Sequence, residues 1–526
     1  MILIEATINS TVYRCSLEGN DPDDALEWTY NWKPYVVSFT APQYRMAKAY
    51  GGFCKMSFGS IELSPDLFAD EWYPPINFPI TAKYTATDDS TTETLFTGTA
   101  HRSEVTKETI IYDLYGIEYD VDLLAEAEDY NGNIVALPMA IGLVSYEQPV
   151  RLPDAGGYPT YHKGSITGTL AKNITVIADN GSGKCRFTTG AAHGFSNADV
   201  VTTEDAARNA WDTSAITLIN TTTFDKASLA FVANSTGHAY KTGYWGVYDD
   251  GVPISGNVTD NGNGTFSLSA VPTGEVSISG TGQDTTLAEL IDWACGASYL
   301  DLTSDTALWT ATIPNISHWA ASQKKLVDFL SDICAFFGHL FFISGSTLYL
   351  VGMGEDNGTD TITEFEYFDG PYHDRPPVSI FRSKWITRES VSETIGQYVK
   401  DIGNDTYQES AYPYGKDESI DPYTGTMADI DTQLEAISTI YHMPYCYLKM
   451  PLIGSLPMPG KKISWLDESM GQKTSAYIRA RSIRYDFDNE EITIEGEGAM
   501  VTAVDELLGA GLGILDLFGG AGLDVS

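Results

Sequence analysis

The sequence predicts a mainly β protein with a small α+β domain: two β-barrel domains side by side, an inserted β module, and a short helix-bearing block. Three observations carry this expectation. Late in the chain, Tyr477-Ile478-Arg479-Ala480-Arg481-Ser482-Ile483-Arg484-Tyr485-Asp486-Phe487 and Glu491-Ile492-Thr493-Ile494-Glu495-Gly496 flank Asp488-Asn489-Glu490. Ile492 and Ile494 alternate with Thr493 and Glu495, so the strand offers one face to a core and one to water. Near the start, Ile80, Ala82, Tyr84 and Ala86 alternate in the same way with Thr81, Lys83, Thr85 and Thr87, the period of a half-buried strand. Between these blocks the spacing of Leu326, Leu330, Ile333, Cys334 and Phe337 is helical. The expected division is 1–150, first barrel; 151–250, inserted module; 251–375, β hairpins and the α+β unit; 376–500, second barrel; 501–526, a Gly-rich tail.

Taken in order, the strand at Ile80 turns near Asp88-Asp89-Ser90 into Thr94-Leu95-Phe96-Thr97-Gly98-Thr99-Ala100, and Thr109-Ile110-Ile111-Tyr112-Asp113-Leu114-Tyr115 follows, a meander. Aromatic and proline clusters at Trp32-Lys33-Pro34 and Trp72-Tyr73-Pro74-Pro75 read as loops between strands. From Leu152-Pro153-Asp154-Ala155-Gly156-Gly157 the composition shifts toward Gly, Thr, Ser and Asn, marking a linker. Beyond it, Phe187-Thr188-Thr189-Gly190-Ala191-Ala192-His193-Gly194-Phe195-Ser196-Asn197-Ala198-Asp199-Val200-Val201, Thr223-Phe224 and the turn Tyr240-Lys241-Thr242-Gly243 resemble a small barrel-like β module. That module is known from ubiquitin-activating enzymes and recurs in bacteriophage virion proteins; the resemblance covers about residues 173–246. Where the family commonly has Gly-Asp, this chain has Ala198-Asp199, so the tight turn is expected to be relaxed. His193 has no Ser, Cys or second His at catalytic or metal spacing and reads as a turn-packing residue.

Asp260-Asn261-Gly262-Asn263-Gly264 fails the spacing of a calcium loop, since its third and fifth positions are glycines, and reads as a hairpin turn. Thr286-x-x-Glu289 has capping-box form ahead of Leu290, Ile291 and Ala294, with Gly296 as the stop. Ser322 is expected to cap a second helix, Gln323–Phe337, ending at Gly338. Leu340-Phe341-Phe342-Ile343, Ser344-Gly345-Ser346 and Thr347-Leu348-Tyr349-Leu350-Val351 form a hairpin over that helix, and Pro457-Met458-Pro459-Gly460 sets the turn that opens the late β block.

Length and composition bound the function. A chain of 526 residues supports roughly three to four domains, and 43% apolar with 12% aromatic residues suffices for real cores. With 71 acidic and 31 basic side chains, the formal net charge is −40. That argues against a protein whose task is to grip phosphates, which needs clustered Lys and Arg. An acidic wall is compatible with DNA sliding past, and solubility accounts for the same composition equally well. Cys15, Cys54, Cys185, Cys295, Cys334 and Cys446 are scattered, with no C-x-x-C and no Cys/His pair at zinc spacing, so they read as buried thiols and no metal or cofactor is expected. Met1-Ile2-Leu3-Ile4-Glu5 lacks a basic, cleavable leader, which argues for folding in a cytoplasm. The most apolar stretch, Leu507–Leu523, is interrupted by Asp516 and by glycines and reads as a terminus, not a span. No Gly-x-Ser-x-Gly, His-Glu-x-x-His, P-loop or dinucleotide fingerprint is present, so no catalytic residue is assigned.

The order of elements carries a further resemblance. Gly51-Gly52-Phe53 through Gly59-Ser60-Ile61-Glu62-Leu63 and Leu95–Ala100, then the helix and hairpin 323–351, then the block closing with Pro459-Gly460 and the 477–496 hairpin, resemble the baseplate or tail hub proteins of long-tailed bacteriophages, with the non-contractile type favoured. The match covers most of the chain apart from the insert and tail. It implies two tube-type β-barrels per subunit and a homotrimer that closes the distal end of a tail tube, adapting sixfold to threefold symmetry and forming the conduit for DNA ejection. Implied neighbours are the distal tail protein or a tube ring, the tape-measure carboxyl terminus, and a tip fibre or spike; DNA passes only in transit, and membrane contact stays open. Such a protein assembles in the host cytoplasm and resides at the virion tail tip. The rival reading is a β-rich adhesin of the tail tip, with 31 Tyr and 10 Trp to dock glycans or proteins.

Overall fold

The computed structural model describes residues 2–501 except 18–28, 49–50, 57–58, 70–73, 86–91, 117–118, 155–156, 206–209, 241–243, 283–285, 306–315, 353–358, 363–368, 376–377, 390–391, 402–415, 420–422, 424–429, 431, 435, 438–444, 452–457, 468–473, 488 and 490; across 359–419 it describes backbone alone. The predicted turns at 88–90 and 241–243, the Trp72-Tyr73 loop and the tail beyond 501 lie outside the described residues. The protein is mainly β, with two α-helices over four residues long among the described elements.

The first barrel is a seven-stranded antiparallel sheet. Its spatial order is Thr11–Ser16, Ile2–Ile8, Asn77–Tyr84, Glu93–Val105, Ile110–Gly116, Ser60–Leu63, Val36–Thr40. Alternation works as read: Phe78, Ile80, Ala82 and Tyr84 point inward and are buried, with Ile4, Ala6, Phe96, Tyr112 and Leu114 opposite them. Each such large side chain contributes about 1.5–3 kcal/mol by leaving water. The sheet curls until its two edges meet. Ser16 N donates to Lys33 O at 2.8 Å and Lys33 N donates to Arg14 O at 3.1 Å, two residues before Tyr35, whose carbonyl accepts from Ser64 N at 2.8 Å. Outside, Glu5 accepts from Lys83 at 2.9 Å and faces Arg14 at 3.4 Å.

The segments 139–170 and 244–281 pair with each other. Met139–Glu147 lies between Val276–Thr281 and Ser317–Ala320, with Tyr244–Asp249 beyond; a second sheet joins Val150–Leu152, Thr160–His162, Thr265–Leu268 and Val258–Asp260. They share a core of Trp245, Val247, Phe266 and Ile278. The 260–264 loop is the hairpin turn expected, with Gly262 and Gly264 at φ 74° and 82°. Strands of the small module therefore begin only at Lys172 and end at Tyr240.

That module is also seven-stranded, in the order Ala210–Ala215, Val200–Asp205, Ser235–Tyr240, Lys172–Asp179, Lys184–Thr189, Thr223–Ala230, Thr217–Asn220. The two edge strands are separated in sequence by Ile216 alone, so the sheet must wrap around to join them. Ile174, Ile177, Phe187, Phe224 and Val201 fill it, with Phe187 stacked on Phe224 at 5.2 Å. The expected relaxation at Ala198 does not occur: Ala198 keeps the left-handed conformation, φ 66°. Four hydrogen bonds over-determine it: Ala198 N to Ile216 O (2.9 Å), Ile216 N to Asp199 O (2.9 Å), Asp199 N to Ser196 O (3.1 Å) and Ser196 N to Asp199 Oδ2 (2.6 Å). They outweigh the 1–2 kcal/mol or so that an L-residue pays there.

In the α+β unit, α1 (Leu287–Ala294) has the predicted capping box, with Glu289 N donating to Thr286 Oγ1 at 3.3 Å and Thr286 N to Glu289 Oε2 at 3.0 Å. The second helix, α2 (Leu326–Phe336), starts later than expected, and Lys325, not Ser322, is its N-cap. The reason is non-local. Gln323 exchanges side-chain bonds with the backbone of Leu124 (2.9 and 2.7 Å), and Leu123 N donates to Lys324 O (2.9 Å), so this stretch is held extended against 121–124. The hairpin His339–Ser344/Thr347–Gly352 follows as read, turning at Gly345 with φ 60°.

The late hairpin is Thr474–Asp486/Glu491–Val501, paired from Asp486↔Glu491 to Ser475↔Val501. Ile478, Ile483, Ile492 and Ile494 are buried. It lies in an eleven-stranded sheet that also holds Tyr445–Pro451, Asp369–Arg375, Lys462–Asp467, Thr359–Ile362 and the 339–352 hairpin. Val378–Glu389, Ser392–Asp401 and Lys416–Ser419 form a separate three-stranded sheet.

Candidate functional site

The place where distant parts of the chain converge is a seam built on one hairpin, Tyr44–Lys48/Gly51–Met56. These residues lie between two strands of the first barrel in sequence, yet they leave its sheet. Tyr44–Lys48 runs antiparallel to the late strand, with Ser482↔Arg45 and Ile483↔Tyr44. Gly51–Met56 runs parallel to His339–Ser344, with Leu340↔Gly52 and Phe341↔Phe53. One continuous sheet thus joins the amino-terminal, central and carboxyl-terminal parts.

Two glycines permit the fit. Gly51 and Gly52 have φ 109° and 85°, and a Cβ would lie 2.5 Å from the His339 carbonyl oxygen at the first and 2.5 Å from Ser331 Oγ at the second. Ser331, buried on α2, accepts from Phe53 N at 2.9 Å. Phe53 stacks on Phe341 at 4.9 Å, Tyr44 meets Phe342 edge-on at 5.5 Å, and the Cys54 thiol donates to Arg481 O at 3.5 Å.

A cavity opens on each side of the Ser344–Ser346 turn. One, about 490 Å³, is lined by Phe53, Met56, Tyr119, Lys325, Asp328 and Ser331 among others. Of its two lysines, Lys55 and Lys325, the second is neutralised locally: Lys325 pairs with Asp120 at 2.6 Å and Asp122 at 2.9 Å, and these bonds, the one to Asp120 first, raise its pKa. The other, about 520 Å³, is walled by Tyr44, Leu95, Phe342, Tyr349, Met458 and Tyr485. Among the described residues its remaining lining is hydroxyls, glycine, proline and Lys461.

Among the described residues neither cavity presents an activated nucleophile. Burial raises the Cys54 thiol far above its ordinary value, so it stays protonated and inert. Burial does the same at Cys334, pushes Cys15 up to about 12, and pushes Cys295 up to about 11. His193 packs where the sequence placed it, in a turn: Phe195 N donates to its Nδ1 at 3.0 Å, Nε2 lies 3.0 Å from Asn220 O, and its ring stacks on Phe195 at 5.0 Å. His318 sits half-buried between Tyr423 (4.8 Å) and Phe329 (5.7 Å), its pKa pushed down to about 4 by burial and then by Lys324, with Asp332 opposing. Among the described residues no group of three or more His, Cys, Asp or Glu is placed to hold a metal, and no helix is long and apolar enough to cross a membrane.

Sequence reasoning missed Lys226. It is fully buried in the small module and donates to Val201 O (2.6 Å), Asp212 O (2.7 Å) and Asp212 Oδ1 (2.7 Å). Asp212 belongs to one edge strand, while Lys226 neighbours the strand at the opposite edge, so the ammonium ties the closure of the barrel. The alternation of Thr223–Ala230 held the signal, since Lys226 shares the face of Phe224.

No protein-family profile matches the chain. No curated protein matches it. Among solved structures, the chain is similar to the 43 kDa tail protein of prophage MuSo2 from Shewanella oneidensis, at 9% identity and TM-score 0.37 over 94% of this chain and 97% of that one. It is also similar to prophage tail protein gp18 from Listeria monocytogenes, at 8% identity and TM-score 0.29 over 64% and 97%. A tail protein from Neisseria meningitidis gives 10% identity and TM-score 0.28 over 67% and 96%. At these scores the likenesses carry no argument about what this chain does.

Proposed function

We propose that the chain is a structural protein of a bacteriophage tail, the trimeric hub that closes the distal end of the tail tube, adapts sixfold to threefold symmetry and forms the conduit for DNA ejection. The observation that carries the reading is a curled seven-stranded barrel joined to a helix-backed hub and a second curled sheet through one spliced hairpin. Such a joint suits a load-bearing ring element, because movement of one part is transmitted through backbone hydrogen bonds and not through a flexible linker. The order of elements read from the sequence supports the same role, and the net charge of −40 suits a passage that does not hold DNA.

In this reading the tube ring or distal tail protein, the tape-measure carboxyl terminus and a tip fibre or spike are its neighbours, and it has no catalytic task. The purified chain is expected at three times 57.4 kDa in native mass spectrometry, with a threefold ring at the far end of the tail in averaged virion images. A monomer whose antibody label lies away from the tail axis overturns it. Clearing of cell-wall material in a zymogram overturns the non-enzymatic part.

A further inference from the structure

We propose that the buried Lys226–Asp212 pair of the small module is the reactant state of a self-made covalent link, an isopeptide bond between Lys226 Nζ and Asp212 Cγ. The two groups are held together in one geometry. Lys226 is 0% exposed, and its ammonium donates to Asp212 Oδ1 at 2.7 Å while Asp212 O at 2.7 Å and Val201 O at 2.6 Å fix its direction. Three bonds on three protons leave the nitrogen little freedom. Reactants held in this way need no bimolecular encounter, an effect that reaches effective molarities of about 10⁵ M and above.

The carboxylate is prepared as well. Ser214 Oγ donates to Asp212 Oδ1 at 2.6 Å, and Ser228 Oγ donates to Ser214 Oγ at 2.9 Å, which turns the Ser214 proton toward the carboxylate. A hydroxyl aimed there stabilises the oxyanion that forms on Oδ1 when nitrogen adds to Cγ. Thr203 lies directly across the strand pair from Asp212, so the two side chains share one face of the sheet. Thr203 is 1% exposed, and its Oγ1 has no hydrogen-bond partner among the described residues. It is a spare hydroxyl on the face where the amide and the departing water are formed.

The step balances without a co-reactant. One ammonium proton passes to the carboxylate, the neutral amine adds to Cγ, and the Cγ–Oδ2 bond breaks. Oδ2 leaves as water with two of the three ammonium protons, and the third stays on the amide nitrogen. Both charges disappear together, so burial, which penalises charge, favours the product. Burial also lowers the Lys226 pKa against the pull of Asp212, which eases the first proton transfer. The bond joins Ala210–Ala215, at one edge of the sheet, to Thr223–Ala230, the neighbour of the other edge, and makes permanent a closure that the ion pair holds reversibly.

The test is the mass of the full chain under denaturing conditions. It is expected to be one water lighter than the sequence, and trypsin is expected to skip Lys226 and yield a branched peptide that joins it to Asp212. Full mass with cleavage after Lys226 overturns the proposal. Asp212→Ala is expected to restore the full mass; a water deficit that persists in that variant arises elsewhere and overturns it likewise. In cell-free synthesis, Ser214→Ala is expected to lower the early cross-linked fraction about tenfold, and an unchanged fraction overturns the role given to Ser214.

Discussion

The first barrel and the small module are both seven-stranded sheets curled on themselves, yet they are held together in opposite ways. The first barrel shares one hydrophobic core with the two helices of the α+β unit and the late hairpin, and its own chain lends a hairpin to their sheet. The module spanning 172–240 keeps a core of its own and closes internally, through Ile216 in the backbone and through Lys226 in the interior. The same strand count thus yields one element that stands or falls with residues over 400 positions away and one whose cohesion is local.

The comparison breaks most sharply at the splice. Gly52→Val places a branched side chain against the Ser331 carbonyl and hydroxyl at a positive φ, an expected loss of about 4 kcal/mol. In urea, tryptophan and amide-exchange signals from the first barrel, the α+β unit and the late hairpin should fall together, with 172–240 unmoved; separate transitions for barrel and α+β unit would refute their coupling. The converse change is Lys226→Ala, which strips the module of its buried cation and costs about 3 kcal/mol. Exchange protection should then drop within 172–240 alone, and a matching loss in the first barrel would end the claim of local cohesion.

Acid should sharpen the contrast. Burial holds the folded pKa of His318 at about 4, below the roughly 6.5 of an unfolded histidine. The unfolded chain therefore binds more protons, so stability present above about pH 7 is lost as pH falls toward 4. At pH 5 the loss is about 1–2 kcal/mol, allowing for the half-buried ring. It should appear in the α+β unit and first barrel together, and His318→Gln should flatten it; an unchanged pH slope in that variant would remove His318 as the cause. The smallest expected effect is a gain: Ala198→Gly relieves the left-handed strain at φ 66° and, after the entropic penalty of glycine, stabilises the module by about 0.5 kcal/mol. A loss of melting temperature would mean that the Ala198 methyl packs usefully.

Much of the fold was legible because it is written locally. The alternation at 80–85 and 492–495, the Thr286/Glu289 box and the glycine turns at 262, 264 and 345 depend on residues within a few positions of each other, and each formed as read. The start of α2 was misread because Gln323 and Lys324 are claimed by Leu123 and Leu124, some 200 residues earlier. Ala198 was misread because the bonds that hold it left-handed come partly from Ile216 on the far side of a strand pair.

By itself, then, the sequence determined which residues form strands, which face of each seeks the core, and where the turns fall, since side-chain period and backbone preference act over one or two residues. Which strand pairs with which was decided only in three dimensions. Backbone hydrogen bonds are the same for every residue, so nothing in Tyr44–Lys48 or Gly51–Met56 names Ile483 and Leu340 as partners. That choice belongs to the packing of Gly51 and Gly52 against α2, and to the core that becomes continuous once they are in place.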